Sequence, residues 1–101
     1  MSKILILGAG RSSTSLIDYL HRYRTELNLQ IFLCEQNTEI LTHRLNQFPG
    51  LESLEVELSD SQQTIEKFRK VDLVISMLPA FLHIDVANLC VAAGTNMLTA
   101  S

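Results

Sequence analysis

Four consecutive aliphatic residues, Ile4, Leu5, Ile6 and Leu7, run directly into Gly8-Ala9-Gly10, and Leu16, Ile17 and Leu20 then recur at helical spacing. No other stretch constrains the fold as strongly. An unbroken apolar run of this length suits a strand buried on both faces of a parallel sheet. Strand, glycine turn and helix together open a βαβ unit of the dinucleotide-binding kind. Each glycine has its own reason. Gly8 permits a tight turn that a side chain would obstruct, and Gly10 lets the backbone approach a pyrophosphate closely. The following helix would then direct its free N–H groups and positive dipole end at the phosphates.

The third small position of the fingerprint is Ser13, where glycine or alanine is the rule. This position packs the helix against the strand, so it must be small more than it must tolerate positive φ. Ser13 shares a helix face with Leu16 or Ile17 and Leu20. Its hydroxyl either sets the helix slightly further from the sheet or bonds back to a helix carbonyl. The loop read alone also fits a glycine turn that holds no ligand.

Composition narrows the choice of partners. The chain has 101 residues, 47% hydrophobic and 19% charged, enough for one small domain with one core. Its net charge of −3 comes without a basic cluster beyond Lys67, Arg69 and Lys70, which suit a solvated helix end. Nucleic acid and anionic membrane surfaces are thereby disfavoured, and no apolar run reaches membrane-spanning length. Cys34 and Cys90 sit within apolar runs without metal-ligand spacing, so they read as reduced core residues of a cytoplasmic protein, and no metal site is expected.

Taken in order, strands alternate with helices. Strands are expected over residues 3–7, 29–34, 53–57, 72–77 and 96–99. Helices are expected over residues 11–25, 38–47, from about 60 to 68, and 80–93. Asn37 or Thr38 can cap the second helix, and Ser59-x-x-Gln62 reads as a capping box for the third. Pro49-Gly50 marks a turn, Pro79 fits a first helical position, and Gly94 sits where a C-cap belongs. The third strand, half polar, reads as an edge. The fold class is therefore α/β: a three-layer, doubly wound parallel sheet, Rossmann-like, in strand order 3-2-1-4-5. A sixth strand and a substrate domain are absent from these residues, so the chain is expected to be the dinucleotide-binding part (residues 1–101) of a longer enzyme. Its last strand would offer a pairing edge to a second copy.

Further positions bear on the nucleotide. Glu35 ends the second strand, 25 residues after Gly10. A carboxylate there accepts hydrogen bonds from both ribose hydroxyls of NAD and repels the 2′-phosphate of NADP. Asp60 follows the third strand, where an adenine edge commonly rests, although it can equally cap the third helix. Ser76, Leu78 and Pro79 close the fourth strand beside the chain reversal between strands one and four, where ligands of open α/β sheets bind. His83, one turn into the next helix, reads as a surface or packing residue before it reads as a base.

Two blocks carry a family resemblance. Residues 3–19, K-I-L-I-L-G-A-G-R-S-S-T-S-L-I-D-Y, and residues 72–101, D-L-V-I-S-M-L-P-A-F-L-H-I-D-V-A-N-L-C-V-A-A-G-T-N-M-L-T-A-S, are similar to the N-terminal part of saccharopine dehydrogenase. The second block is the more specific, because few domains with a G-A-G-R loop also carry V-I-S-x-L-P and a strand ending T-A-S. The resemblance implies an oxidoreductase of lysine metabolism. It would act on a secondary amine between glutamate and aminoadipate semialdehyde, with NAD or NADP as cofactor. It implies that Gly8, Gly10, Arg11, Ser12 and Ser13 hold the pyrophosphate, and that Ser76, Leu78, Pro79, Thr99 and Ser101 line the nicotinamide side. Members that use NADP tend to be basic after the second strand. Glu35 and Gln36 depart from that and point to NAD. The residues that hold the amino-acid substrate would lie in the absent domain, and no general base is assigned here.

Two other readings stay open. A related enzyme, of the carboxynorspermidine dehydrogenase kind, would differ only in its substrate domain. A nucleotide-sensing regulatory module, of the kind attached to potassium channels, shares the glycine loop and the acidic residue and performs no turnover; Leu78-Pro79 and the T-A-S ending argue against it.

Overall fold

A computed structural model describes residues 1–99; Ala100 and Ser101 lie outside the described residues. Five strands form one parallel sheet in the order β3-β2-β1-β4-β5: β1 (Ser2–Leu7), β2 (Leu29–Cys34), β3 (Glu52–Ser53), β4 (Leu73–Ser76) and β5 (Asn96–Thr99). The helices between them are α1 (Thr14–Tyr23), α2 (Thr38–Gln47), α3 (Ser61–Arg69) and α4 (His83–Ala93). Architecture and strand order match the expectation from sequence.

The centre of the sheet is β1, and its side chains alternate between two cores. Ile4 and Ile6 join Ile17, Leu16 and Leu20 of α1 and Leu41 and Leu45 of α2 on one face. Leu5 and Leu7 join Phe68 of α3 and Val86, Leu89 and Cys90 of α4 on the other. Two layers of helix therefore bury one strand from both sides, which is why it carries no polar alternation. Each fully buried aliphatic side chain of this kind contributes roughly 1.5–3 kcal/mol.

Two of the helices, α1 and α4, begin later than their sequence pattern suggests. Residues Arg11–Ser13 form a 3₁₀ turn before α1, and Ala80–Leu82 form another before α4. Pro79 is extended (φ −55°, ψ 148°) and precedes its turn, so it is not the first helical residue. At the other end of α4, Gly94 adopts φ 72° and the Thr95 amide reaches back to the Cys90 carbonyl at 2.9 Å, the glycine-closed ending expected there.

Two local expectations need correction. The third strand is Glu52–Ser53, not residues 53–57. Its register sets Ser53 against Leu33, so Leu54 stands opposite Cys34, the last residue of β2. Residues 55–57 then run past the end of β2 and join no ladder among the described residues. Of the two caps the sequence offers for α3, Asp60 serves and the Ser59 capping box does not form: Asp60 Oδ1 accepts from the Gln63 amide at 3.1 Å, while Ser59 Oγ donates to the Glu57 carboxylate.

The two sheet edges differ. Glu52, Glu55 and Glu57 lie at or beyond β3 and are exposed, which discourages pairing there. The sequence of β5, N-M-L-T, holds no charged residue and Leu98 is 56% exposed, and Phe81, Ile84 and Val91 on or just before α4 are exposed as well.

Candidate cofactor site

The glycine turn closes through four hydrogen bonds. Gly8 has φ +94°, a left-handed value, and a Cβ there would stand 3.4 Å from the Met77 backbone. Its amide donates to the Cys34 carbonyl (2.8 Å), and its carbonyl accepts from Ser13 Oγ (2.9 Å). Ser13 is 1% exposed. Its hydroxyl bonds to the end of β1 and not to a helix carbonyl, which explains why a polar residue is tolerated at the closest helix–strand contact. Ala9, fully buried, gives its amide to Glu35 Oε1 (2.9 Å) and receives Arg44 Nε at its carbonyl (2.9 Å).

Beyond this lock lies open backbone. A Cβ on Gly10 would meet nothing within 4 Å. Neither the 3₁₀ turn at Arg11–Ser13 nor α1 has a side-chain cap, whereas α2 is capped by Asn37 and α3 by Asp60. The first N–H groups of a helix have no intrahelical partner, so those around Arg11 and Ser12, both exposed, face solvent with the positive end of the helix dipole behind them. The 3₁₀ turn before α4 and α4 itself also lack side-chain caps. The two uncapped starts follow β1 and β4, the adjacent strands at which the winding of the sheet reverses. Ligands of open α/β sheets bind in that crevice.

A cleft of about 270 Å³ opens over the carboxyl end of β1. It gathers Gly8, Glu35, Gln36, Leu78 and Pro79 of the residues singled out from sequence, with apolar walls from Leu7, Val56, Leu58 and Leu82. A second, more polar hollow of about 690 Å³ continues from Glu35 and Gln36 toward β3, reaching Glu55, Glu57 and Lys67. Cys34 lines both hollows, and burial pushes its thiol above the ordinary range, which disfavours the reactive thiolate. Cys34 and Cys90 are both free thiols.

Glu35 projects into this cleft with both oxygens engaged by backbone: Oε1 by the Ala9 amide and Oε2 by the Asn37 amide at 3.0 Å. Each carboxylate oxygen has two lone-pair directions, which leaves one on each oxygen for a ribose hydroxyl. Ser76 ends β4 in register with Leu7 and Thr99. It is fully buried, and its Oγ has no hydrogen-bond partner among the described residues, a state that buried hydroxyls rarely keep. Thr99, at the end of β5, is exposed and outside the cleft, and Ser101 lies outside the described residues. The Asp60 carboxylate is engaged by the cap of α3 and does not line the cleft. His83 Nε2 donates to the Leu78 carbonyl at 2.9 Å, so the ring holds the turn after β4.

Arg44 is the residue that sequence reading passed over. It falls on the Ile40, Leu41, Leu45 stripe of α2, where an arginine instead of an aliphatic residue was the available signal.

A dinucleotide fits this arrangement: open space above Gly10, uncapped helix starts and an apolar cleft. Among the described residues no group of three or more His, Cys, Asp or Glu could hold a metal ion, and no helix is long and apolar enough to cross a membrane. The family model described as the saccharopine dehydrogenase NADP-binding domain matches residues 4–101. Mitochondrial alpha-aminoadipic semialdehyde synthase of Mus musculus is 34% identical over 102 residues, covering 98% of this chain and 10% of that protein. Alpha-aminoadipic semialdehyde synthase of Arabidopsis thaliana is 28% identical over 117 residues, covering 99% of this chain and 11% of that protein. The chain thus spans about a tenth of the length of these relatives. Apo saccharopine dehydrogenase (L-Glu forming) from Saccharomyces cerevisiae has the same fold, with a TM-score of 0.85 at 19% identity over 100% of this chain and 22% of that one.

Proposed function

Because the chain belongs to the saccharopine dehydrogenase family, as its NADP-binding domain, we propose that it holds a nicotinamide dinucleotide across the carboxyl ends of β1, β2 and β4 for an oxidoreductase of lysine metabolism that acts on a secondary amine. The observation that carries this reading is the turn at Gly8–Ser13: locked through Gly8 and Ala9, open above Gly10, and backed by an uncapped helix. Gly10, Arg11 and Ser12 receive the pyrophosphate, and Glu35 receives the ribose hydroxyls. Ser76, Leu78 and Pro79 border the nicotinamide half. Leu78 and Pro79 line the cleft on that side; Ser76 is buried at the end of β4 and does not line it.

The cofactor, when bound, takes or gives the hydride; the residues of this chain place it. Substrate carboxylates are held elsewhere in the enzyme, in a domain beyond these residues. Glu35 selects NAD over NADP in this reading: two backbone amides fix its carboxylate at the end of β2, and a carboxylate there suits the ribose hydroxyls and repels a 2′-phosphate. The free thiols of Cys34 and Cys90 suit a reducing compartment, the cytoplasm in our reading.

A titration with NADH and, separately, NADPH tests this directly, followed by nicotinamide fluorescence in a chain without tryptophan. NADH binds more tightly to the parent. Glu35→Gln keeps an acceptor for the Ala9 amide and narrows the preference, whereas Glu35→Ala weakens both cofactors. Tighter NADPH binding by the parent would overturn the role given to Glu35. Failure of a folded chain to bind either would overturn the dinucleotide reading.

A further inference from the structure

We propose that Arg44 is a positioning residue for the pyrophosphate half of the cofactor, acting through one peptide plane of the glycine turn. The inference rests on the dinucleotide reading above and adds a residue that neither the fingerprint nor the family match assigns.

The turn contains two consecutive peptide planes, and they are held differently. In the Gly8–Ala9 plane, the carbonyl accepts from Ser13 Oγ and the amide donates to Glu35 Oε1. That plane is pinned at both ends. In the Ala9–Gly10 plane, the carbonyl accepts from Arg44 Nε at 2.9 Å, and the Gly10 amide has no protein acceptor among the described residues. A trans peptide is rigid and sets its C=O and N–H in opposite directions. Drawing the Ala9 carbonyl toward α2 therefore aims the Gly10 N–H away from α2. Gly10 is also the position where a Cβ would meet nothing within 4 Å. Arg44 thus sets the direction of the first free amide of the turn.

Three features favour this role over a general stabilising one. Arg44 is half-buried, and its Nη1 is braced by Gln47 Oε1 at 3.2 Å, so the guanidinium is fixed from its own helix. No carboxylate forms an ion pair with Arg44 among the described residues. The bond it makes is to a buried carbonyl, which would otherwise be left without a partner and would turn to find one. Glycine at the next position removes the steric resistance to that rotation.

The test is calorimetric titration of the parent chain, Arg44→Lys and Arg44→Met with two probes, ADP-ribose and adenosine. ADP-ribose carries the pyrophosphate and adenosine does not. Arg44→Met weakens ADP-ribose by roughly tenfold to a hundredfold, the range of one charge-assisted hydrogen bond, and leaves adenosine within about twofold. Arg44→Lys recovers part of the loss. The loss persists in about 1 M salt, where screening removes the pull of a distant charge. In amide NMR spectra of the parent, the Gly10 resonance moves on addition of ADP-ribose. In Arg44→Met it has already moved before any ligand is added.

Several results would overturn the proposal: equal weakening of both probes, a loss that vanishes in high salt, or an unmoved Gly10 resonance. If Arg44→Met fails to fold, Arg44→Lys and the Gly10 resonance of the parent decide the matter. If the folded parent binds neither probe, the dinucleotide reading is what fails, and the role of Arg44 goes with it. If the parent binds ADP-ribose and Arg44→Met binds it equally well, only the role of Arg44 fails.

Discussion

Gly8 and Gly10 stand two residues apart in one turn, yet their conformations and surroundings are opposite, and alanine separates them. Gly8 has φ +94°, and a Cβ there would meet the Met77 carbonyl carbon and oxygen at 3.4 Å. The left-handed conformation alone costs an alanine about 1–2 kcal/mol. For a domain of this size each kcal/mol moves the melting temperature by roughly 4–8 °C, so Gly8→Ala melts on the order of 10 °C below the parent. Gly10 has φ −69°, which any residue adopts, and open space where its Cβ would lie. Gly10→Ala therefore folds without strain. By restricting the unfolded chain it gains about 0.4–1 kcal/mol, so its melting temperature is equal or slightly raised. Its methyl group occupies the space a pyrophosphate would use, so NADH affinity falls by roughly tenfold or more, a loss of about 1.4 kcal/mol at the lower bound. Thermal melts followed by circular dichroism and fluorescence titration with NADH measure the two effects on the same samples. A Gly10→Ala chain that is stable and binds NADH within about twofold of the parent would refute the placement of the pyrophosphate. A Gly8→Ala chain that melts with the parent would refute the strain assigned to Gly8.

Two further outcomes follow from the same structure. Asp60→Ala removes the acceptor for the Gln63 amide and costs about 1 kcal/mol of stability; NADH affinity stays unchanged, and a tenfold loss would instead return Asp60 to the adenine edge. Burial pushes the Cys90 thiol from 9.0 up to about 11. The folded state then favours the protonated thiol, so this contribution is complete below about pH 9 and disappears as pH rises through 11. Urea unfolding from pH 8 upward shows the stability gap between the parent and Cys90→Ala narrowing along that alkaline limb, and parallel curves would contradict the assignment.

The parts of the fold that followed from sequence are those fixed by local pattern. Residues 4–7 are apolar without alternation because two helical layers cover them, and that single fact places β1 at the centre of the sheet. The third strand was harder to place, because its length depends on where its neighbour stops. Val56 is as apolar as a strand residue should be and is buried, yet it packs as loop because β2 has ended at Cys34. The offset at Asp60 has a similar origin: Ser59 and Asp60 are both good caps, and the Glu57 carboxylate decides between them by taking the Ser59 hydroxyl. Spacing alone was enough to bring Gly8, Gly10 and Glu35 to one turn at the carboxyl ends of β1 and β2. It could not locate Arg44, since the bond from Nε to Ala9 spans 35 residues and depends on how α2 docks.

The cofactor question turns on what Glu35 is for. The matched family is described by NADP, whereas a carboxylate at the end of β2 suits the unphosphorylated ribose. In this chain the carboxylate also completes the turn, because the Ala9 amide, on a fully buried residue, has Glu35 as its acceptor. A basic residue at position 35 would therefore change two things at once. It would welcome a 2′-phosphate, and it would leave a buried amide unpaired, at a cost of about 1–3 kcal/mol. On the dinucleotide reading, preference for the ribose and order in the pyrophosphate turn would be joined through one side chain, and Arg44 holds the other end of the same residue. Changing cofactor in this scaffold takes a second acceptor for Ala9 as well as a new charge.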